Sequence, residues 1–80
     1  MTKEEIKDKT NNVFKKVFKD EFIIINDEMT AKEVERWDSL NHLVMISTIE
    51  EEFLIKIKLK ELIAMKNVGD LLKLIASKVS

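Results

Sequence analysis

Within Arg36-Trp37-Asp38-Ser39-Leu40-Asn41-His42-Leu43, an aspartate, a serine and the chain's single histidine fall inside five residues. These are the components of a nucleophilic triad, but a working triad sets the imidazole between hydroxyl and carboxylate on a rigid frame beside an oxyanion hole. Successive positions at one helix end do not provide that arrangement. His42 reads instead as a boundary residue at the edge of a core face. A serine hydroxyl opening a helix is suited to different chemistry. Free N–H groups and the positive end of the helix dipole stabilise an anion there, so a phosphate carried on Ser39 would sit in a favourable field. Simple helix capping uses the same residue types, with Asp38 or Ser39 accepting a hydrogen bond from a first-turn N–H. Spacing alone leaves both readings open.

The element that positions this pair is a helix spanning Ser39 to Phe53, and its residues divide into two faces. Met45, Ile46, Ile49 and Phe53 fall within one arc of about 100°, as a core face requires. Leu40, Val44, Ser47 and Glu51 run i, i+4, i+7 and i+11 along the other side, beginning one residue after Ser39. Two apolar residues on that outer side fit either a contact surface, the reading favoured here, or the scattered apolar residues that are normal on any protein surface. Among Glu50, Glu51 and Glu52, a solvated run, Glu51 is placed to meet a partner.

Three further helices are expected. Ile6, Thr10, Val13, Phe14, Val17 and Phe18 share one side of a helix from Thr2 to about Phe18, opened by a Thr2/Glu5 capping box. Leu59 to Met65 forms a short helix of barely two turns. Asn67 caps a final helix with Val68, Leu71, Leu72, Leu74, Ile75 and Val79 as its apolar positions, and Gly69, the only glycine, in its first turn. Two connections lack a helical period. Residues 19–38 are long for a compact domain and need their own anchoring. Phe22, Ile23, Ile24 and Ile25 offer it, and Thr30-Ala31-Lys32-Glu33 fits a second capping box with one short turn through Val34 and Glu35. A strand at 22–25 has no second run to pair with. Asp27 and Glu28 read as a solvated loop tip rather than as ligands for a hard cation, which needs more converging oxygens. Residues 54–58 read as an extended loop that tucks in Ile55 and Ile57.

At 80 residues the chain fits one domain, 1–80, which buries about 60–65% of its unfolded surface. Its 45% apolar and 36% charged composition is that of a soluble globular protein. No apolar run reaches the length of a membrane span or of a secretory signal, so a cytoplasmic location without membrane insertion is expected. There are no cysteines, hence no disulfide and no thiolate metal site. The net charge of −1 is unevenly spread, at +2 over residues 1–20, −1 over 21–26, −6 over 27–53 and +4 over 54–80. Negative potential around Asp38 and Ser39 suits a basic protein partner and not a nucleic acid.

Trp37-Asp38-Ser39-Leu40, followed by a helix ending in Glu50-Glu51-Glu52-Phe53, resembles the Asp-Ser-Leu signature of acyl carrier proteins. The order of elements extends the resemblance over essentially the whole chain. It implies an all-α, four-helix bundle with three main helices, one short helix and a long first loop. It also implies that Ser39 receives 4′-phosphopantetheine from coenzyme A through a magnesium-dependent phosphopantetheinyl transferase, and that Asp38 helps the transferase recognise the site. Leu40, Val44, Ser47 and Glu51 would dock the transferase and the acyl-loading, condensing and acyl-transfer enzymes. On this likeness the chain is a monomeric carrier, not an enzyme. It would hold acyl groups as thioesters for fatty-acid, polyketide or specialised lipid biosynthesis, with the cofactor as the only thiol.

Two features depart from the family pattern. Members are usually strongly acidic overall, whereas this chain is nearly neutral. A docking position often held by an acid is Val44 here, a change that acts on partner choice more than on fold. It makes a specialised pathway at least as good a reading as the housekeeping fatty-acid cycle. Peptidyl carriers usually place glycines before the serine, where this chain has Trp37 and Asp38. The alternative from another class is a small helical adaptor that binds through Leu40 and Val44 and carries no prosthetic group.

Overall fold

A computed structural model describes residues 1–34 and 36–79, and these form four helices: α1 (Lys3–Phe18), α2 (Ser39–Phe53), α3 (Leu59–Ala64) and α4 (Val68–Val79). α1 packs against both α2 and α4. No strand occurs among the described residues, so the all-α expectation holds, with three main helices, one short helix and a long first loop.

The helices begin where local chemistry starts them. Thr2 caps α1 in a complete capping box, its hydroxyl accepting from Glu5 N–H while the Glu5 carboxylate accepts from Thr2 N–H. Asn67 Oδ1 accepts from Asp70 N–H at 2.9 Å to open α4. α1 and α2 both end on a residue with left-handed backbone, Lys19 (φ 53°) and Leu54 (φ 56°), without a glycine to ease it. The core joins Ile6, Val13, Phe14 and Phe18 of α1 to Met45, Ile46, Ile49 and Phe53 of α2 and to Val68, Leu71 and Ile75 of α4. All four residues assigned to the core face of α2 are buried. α3 contributes no fully buried residue. It is held by Leu62 against the core and by a 3.1 Å ion pair between Glu61 and Lys78 of α4.

The long first loop is anchored by partners that lie far off in sequence. Ile25 N–H donates to Asn11 Oδ1 at 2.8 Å, and Asn11 Nδ2 donates to the Ile23 carbonyl at 3.2 Å. One side-chain amide on α1 thus supplies the donor and acceptor that a neighbouring strand would have offered. Extended backbone sends alternate side chains to opposite sides. Ile23 and Ile25 are therefore buried while Phe22 and Ile24 are 87% and 78% exposed, so only two of the four expected anchors serve. At the far end of the loop, the carbonyls of Asp27 and Met29 accept from Gly69 and Val68 N–H at 2.8 and 2.9 Å, satisfying first-turn donors of α4.

The expected capping box at Thr30 is a correction. Glu33 does accept from Thr30 N–H, at 2.6 Å, but its own N–H turns to the Thr30 carbonyl rather than the hydroxyl. The hydroxyl donates to the same carboxylate and accepts from Lys32 N–H at 3.2 Å, so it holds a local turn instead of the Glu33 N–H that a capping box requires. Residues 31–34 form turns, and Glu35 lies outside the described residues. Ile55 and Ile57 are half-buried as expected, the Ile57 N–H donating to the Glu50 carboxylate at 2.9 Å.

Candidate functional site

Ser39 is the first residue of α2 and is exposed. The cap is Asp38, whose carboxylate accepts from Asn41 N–H and whose backbone carbonyl accepts from His42 N–H, both at 2.8 Å. Asn41 Nδ2 in turn donates to the Arg36 carbonyl at 2.7 Å, folding the approach chain back over the first turn. Of the two capping options, the structure uses Asp38, so the serine hydroxyl is not spent on holding the helix. The N–H groups of Ser39 and Leu40, as the first two of α2, have no intrahelical acceptor. The dipole adds a partial positive charge at the same place.

Asp38, Ser39 and His42 do share one surface, but not as a triad. His42 Nδ1 accepts a 2.8 Å hydrogen bond from Trp37 Nε1, which commits it to the indole rather than to a carboxylate. Burial pushes the imidazole below its ordinary pKa, which keeps it neutral and acceptor-competent. The expectation that His42 sits at the edge of the core is met, since it is half-buried.

Beside Ser39 lies an open groove of about 510 Å³ between the start of α2, α3 and the α3–α4 connection. Its walls include Leu43 and Met45 of α2, Leu62 of α3, and Met65 and Lys66 beyond it. Sequence reading missed the far wall, formed by Leu62, Met65 and Lys66, because these residues lie more than 20 positions from Ser39, and local periodicity carries no sign of such pairing. On the outer face, Leu40 and Val44 are 70% and 44% exposed, and Ser47 and Glu51 are exposed as well. Leu43, also exposed, belongs with them. Its spacing of three from Leu40 was the available signal.

A group of three or more acidic, histidine or cysteine side chains able to hold a metal ion is not found among the described residues. Nor is any of the described helices long and apolar enough to cross a membrane.

These features define a small all-helical bundle that presents the start of its second helix, with an exposed serine and an adjoining groove, to solvent. A search of solved structures finds the same fold in the solution structure of a holo acyl carrier protein from Geobacter metallireducens, with a TM-score of 0.86 and 39% sequence identity. The match covers 90% of this chain and 83% of that one. No protein-family model matches the chain, and a search of curated proteins gives no match. At that identity and coverage, the chain belongs to the acyl carrier proteins.

Proposed function

We propose that this chain is a single carrier domain that holds acyl groups on a 4′-phosphopantetheine arm attached to Ser39. One observation carries the reading: the Ser39 hydroxyl is exposed at the opening of α2 while Asp38, not Ser39, serves as the cap. The site fits the group. The Ser39 and Leu40 N–H groups can donate to phosphodiester oxygens, and the groove beside them has room and apolar walls for the arm's cargo. The holo state of the Geobacter metallireducens relative supports the same attachment. Attachment joins Ser39 Oγ to the 4′-phosphate phosphorus of coenzyme A. The pyrophosphate P–O bond breaks, adenosine 3′,5′-bisphosphate leaves, and the serine proton passes to the transferase.

When bound, the arm supplies a thiol, which the polypeptide lacks. The chain's own residues supply address and tethering. Asp38 fixes the helix start and offers the transferase a charge next to the serine. Leu40, Val44, Ser47 and Glu51 give a docking strip that starts one residue from the attachment point. A docked enzyme then meets the tethered acyl group at high effective concentration. The apolar Val44 in that strip favours the enzymes of a specialised acyl pathway over partners that read an acid there. The carrier itself performs no bond making, and a cytoplasmic, monomeric state accords with this role.

The test is incubation of the purified chain with coenzyme A, Mg²⁺ and a broad-specificity phosphopantetheinyl transferase, followed by intact mass. The chain gains one phosphopantetheine and one titratable thiol, and Ser39→Ala gains neither. An unmodified wild-type chain, or a modified Ser39→Ala, refutes the assignment.

A further inference from the structure

Attachment to Ser39 does not by itself require the ring pair that spans the site. Trp37 precedes Asp38, and His42 lies three residues beyond Ser39, so the 2.8 Å Trp37 Nε1 to His42 Nδ1 hydrogen bond bridges the corner from both sides. The two ring planes are 17° from parallel with centroids 5.8 Å apart, the alignment that an in-plane N–H···N bond between them needs. The indole also meets two α1 rings, Phe14 at 5.3 Å and 88° and Phe18 at 5.7 Å and 42°. Through this one indole, the first turn of α2 is tied to α1. The geometry points to Trp37 and His42 as positioning residues: a clamp that holds the Asp38-Ser39 corner in register for the modifying enzyme and opens when His42 takes a proton.

The clamp needs neutral imidazole with a lone pair on Nδ1. Protonation puts an N–H there, so donor faces donor and the bond is lost. The charged groups that share the groove with His42 are Asp38, from its own helix start, and Lys66, from the α3–α4 connection. Ala31 from the long loop, Leu62, Met65 and Leu71 contribute no charge, and α1 reaches the pair through aromatic rings. Burial lowers the imidazole pKa, so the clamp stays closed through neutral pH and opens on the acid side.

The inference rests on Ser39 as the attachment point, so its test includes a readout that needs no attachment. The chain holds a single tryptophan, and its indole N–H resonance can be followed from pH 8 to pH 5. It shifts with one titration in wild type and is pH-indifferent in His42→Asn, whose side-chain oxygen can accept in place of Nδ1 without titrating. Transferase kcat/KM is then measured over the same range for both chains, and their ratio cancels the transferase's own titration. The ratio of wild type to His42→Asn falls about fivefold on the acid side, the scale of one lost hydrogen bond. Trp37→Phe keeps the ring but loses the donor. Its kcat/KM is about fivefold low and its ratio to His42→Asn is flat with pH. An indole resonance that ignores pH in wild type, a constant wild-type ratio, or a Trp37→Phe chain modified as fast as wild type overturns the clamp. A chain that gains no phosphopantetheine at any pH overturns the reading of Ser39 instead, and the indole resonance alone then decides the clamp.

Discussion

Replacing Gly69 by alanine sets two effects of opposite sign against each other, and the structure decides between them. Alanine in place of glycine in a helix is favoured by up to about 1 kcal/mol. A Cβ on residue 69, however, would lie 2.9 Å from the Asp27 carbonyl oxygen and 3.1 Å from Asp27 Cβ, where ordinary contact begins at 3.4 Å. The obstructing atom is backbone, and it is the same oxygen that accepts the Gly69 N–H at 2.8 Å. Relieving the overlap by moving that oxygen stretches this bond and drags on the neighbouring Met29 carbonyl to Val68 N–H bond. Two weakened hydrogen bonds at about 1 kcal/mol each, with some overpacking, exceed the propensity gain and leave Gly69→Ala about 1–2 kcal/mol less stable. For a domain of this size that lowers Tm by about 4–16 °C. Thermal unfolding followed by circular dichroism measures it, and amide exchange should quicken first at Val68 and Gly69. If Gly69→Ala melts at or above the wild-type temperature, the loop is not docked on α4 as described.

Asn11→Ala removes both hydrogen bonds that hold residues 23–25. It costs about 1–3 kcal/mol in chemical denaturation, and no loss of stability would deny Asn11 its anchoring role. Thr10 is fully buried with its Oγ1 unpartnered, so Thr10→Val raises the denaturation midpoint by about 1 kcal/mol equivalent, and a lowered midpoint would count against that unpaired hydroxyl. Hydrogen bonds hold the Glu5 and Glu33 carboxyls below their ordinary pKa of 4.5, and the Lys58 backbone N–H, followed by the Lys78 ammonium, does the same for Glu61. The folded chain therefore binds fewer protons than the unfolded one in this range. The stabilisation is complete above pH 4.5 and is lost as pH falls below it, checked by the melting temperature between pH 6 and pH 3 and refuted by a flat profile. Val44→Glu places an acid on the exposed face of α2 without touching the core, so it leaves Tm within about 2–4 °C, and on the proposed docking role it shifts relative rates among condensing enzymes and transferases. Unchanged rates with every partner would remove Val44 from partner choice.

The helices were legible because their signals are local. Thr2 and Glu5 meet within one turn, Asn67 and Asp70 likewise, and the buried face of α2 repeats at 3.6 residues through Met45, Ile46, Ile49 and Phe53. The loop was less legible because its anchors act over long range. Nothing in the sequence around Asn11 says that its amide will serve the backbone of residues 23 and 25, and nothing around Gly69 says that Asp27 will arrive within contact of its Cα. Polar side chains that satisfy distant backbone groups repeat with no period. Where the local rule was applied to a loop, as at Thr30 and Glu33, the right residue types met in the wrong pattern.

The same distinction explains why the site could be placed before its groove. Arg36, Trp37, Asp38, Asn41 and His42 make their mutual hydrogen bonds within seven residues around Ser39, so the corner is specified by one short stretch. Its groove is not, because the facing wall comes from α3 and the chain beyond it. α3 buries no side chain fully and is held by Leu62 against the core, by the Glu61–Lys78 ion pair and, in the chain leading into it, by the Glu50 carboxylate that receives Ile57 N–H. A wall whose helix has no fully buried side chain loses less apolar contact on opening than the corner opposite, which is tied through Trp37 to two rings of the core. The fastening of the Ser39 corner and the lighter hold on the wall facing it are therefore encoded separately, the first in contiguous sequence and the second in what α3 lacks.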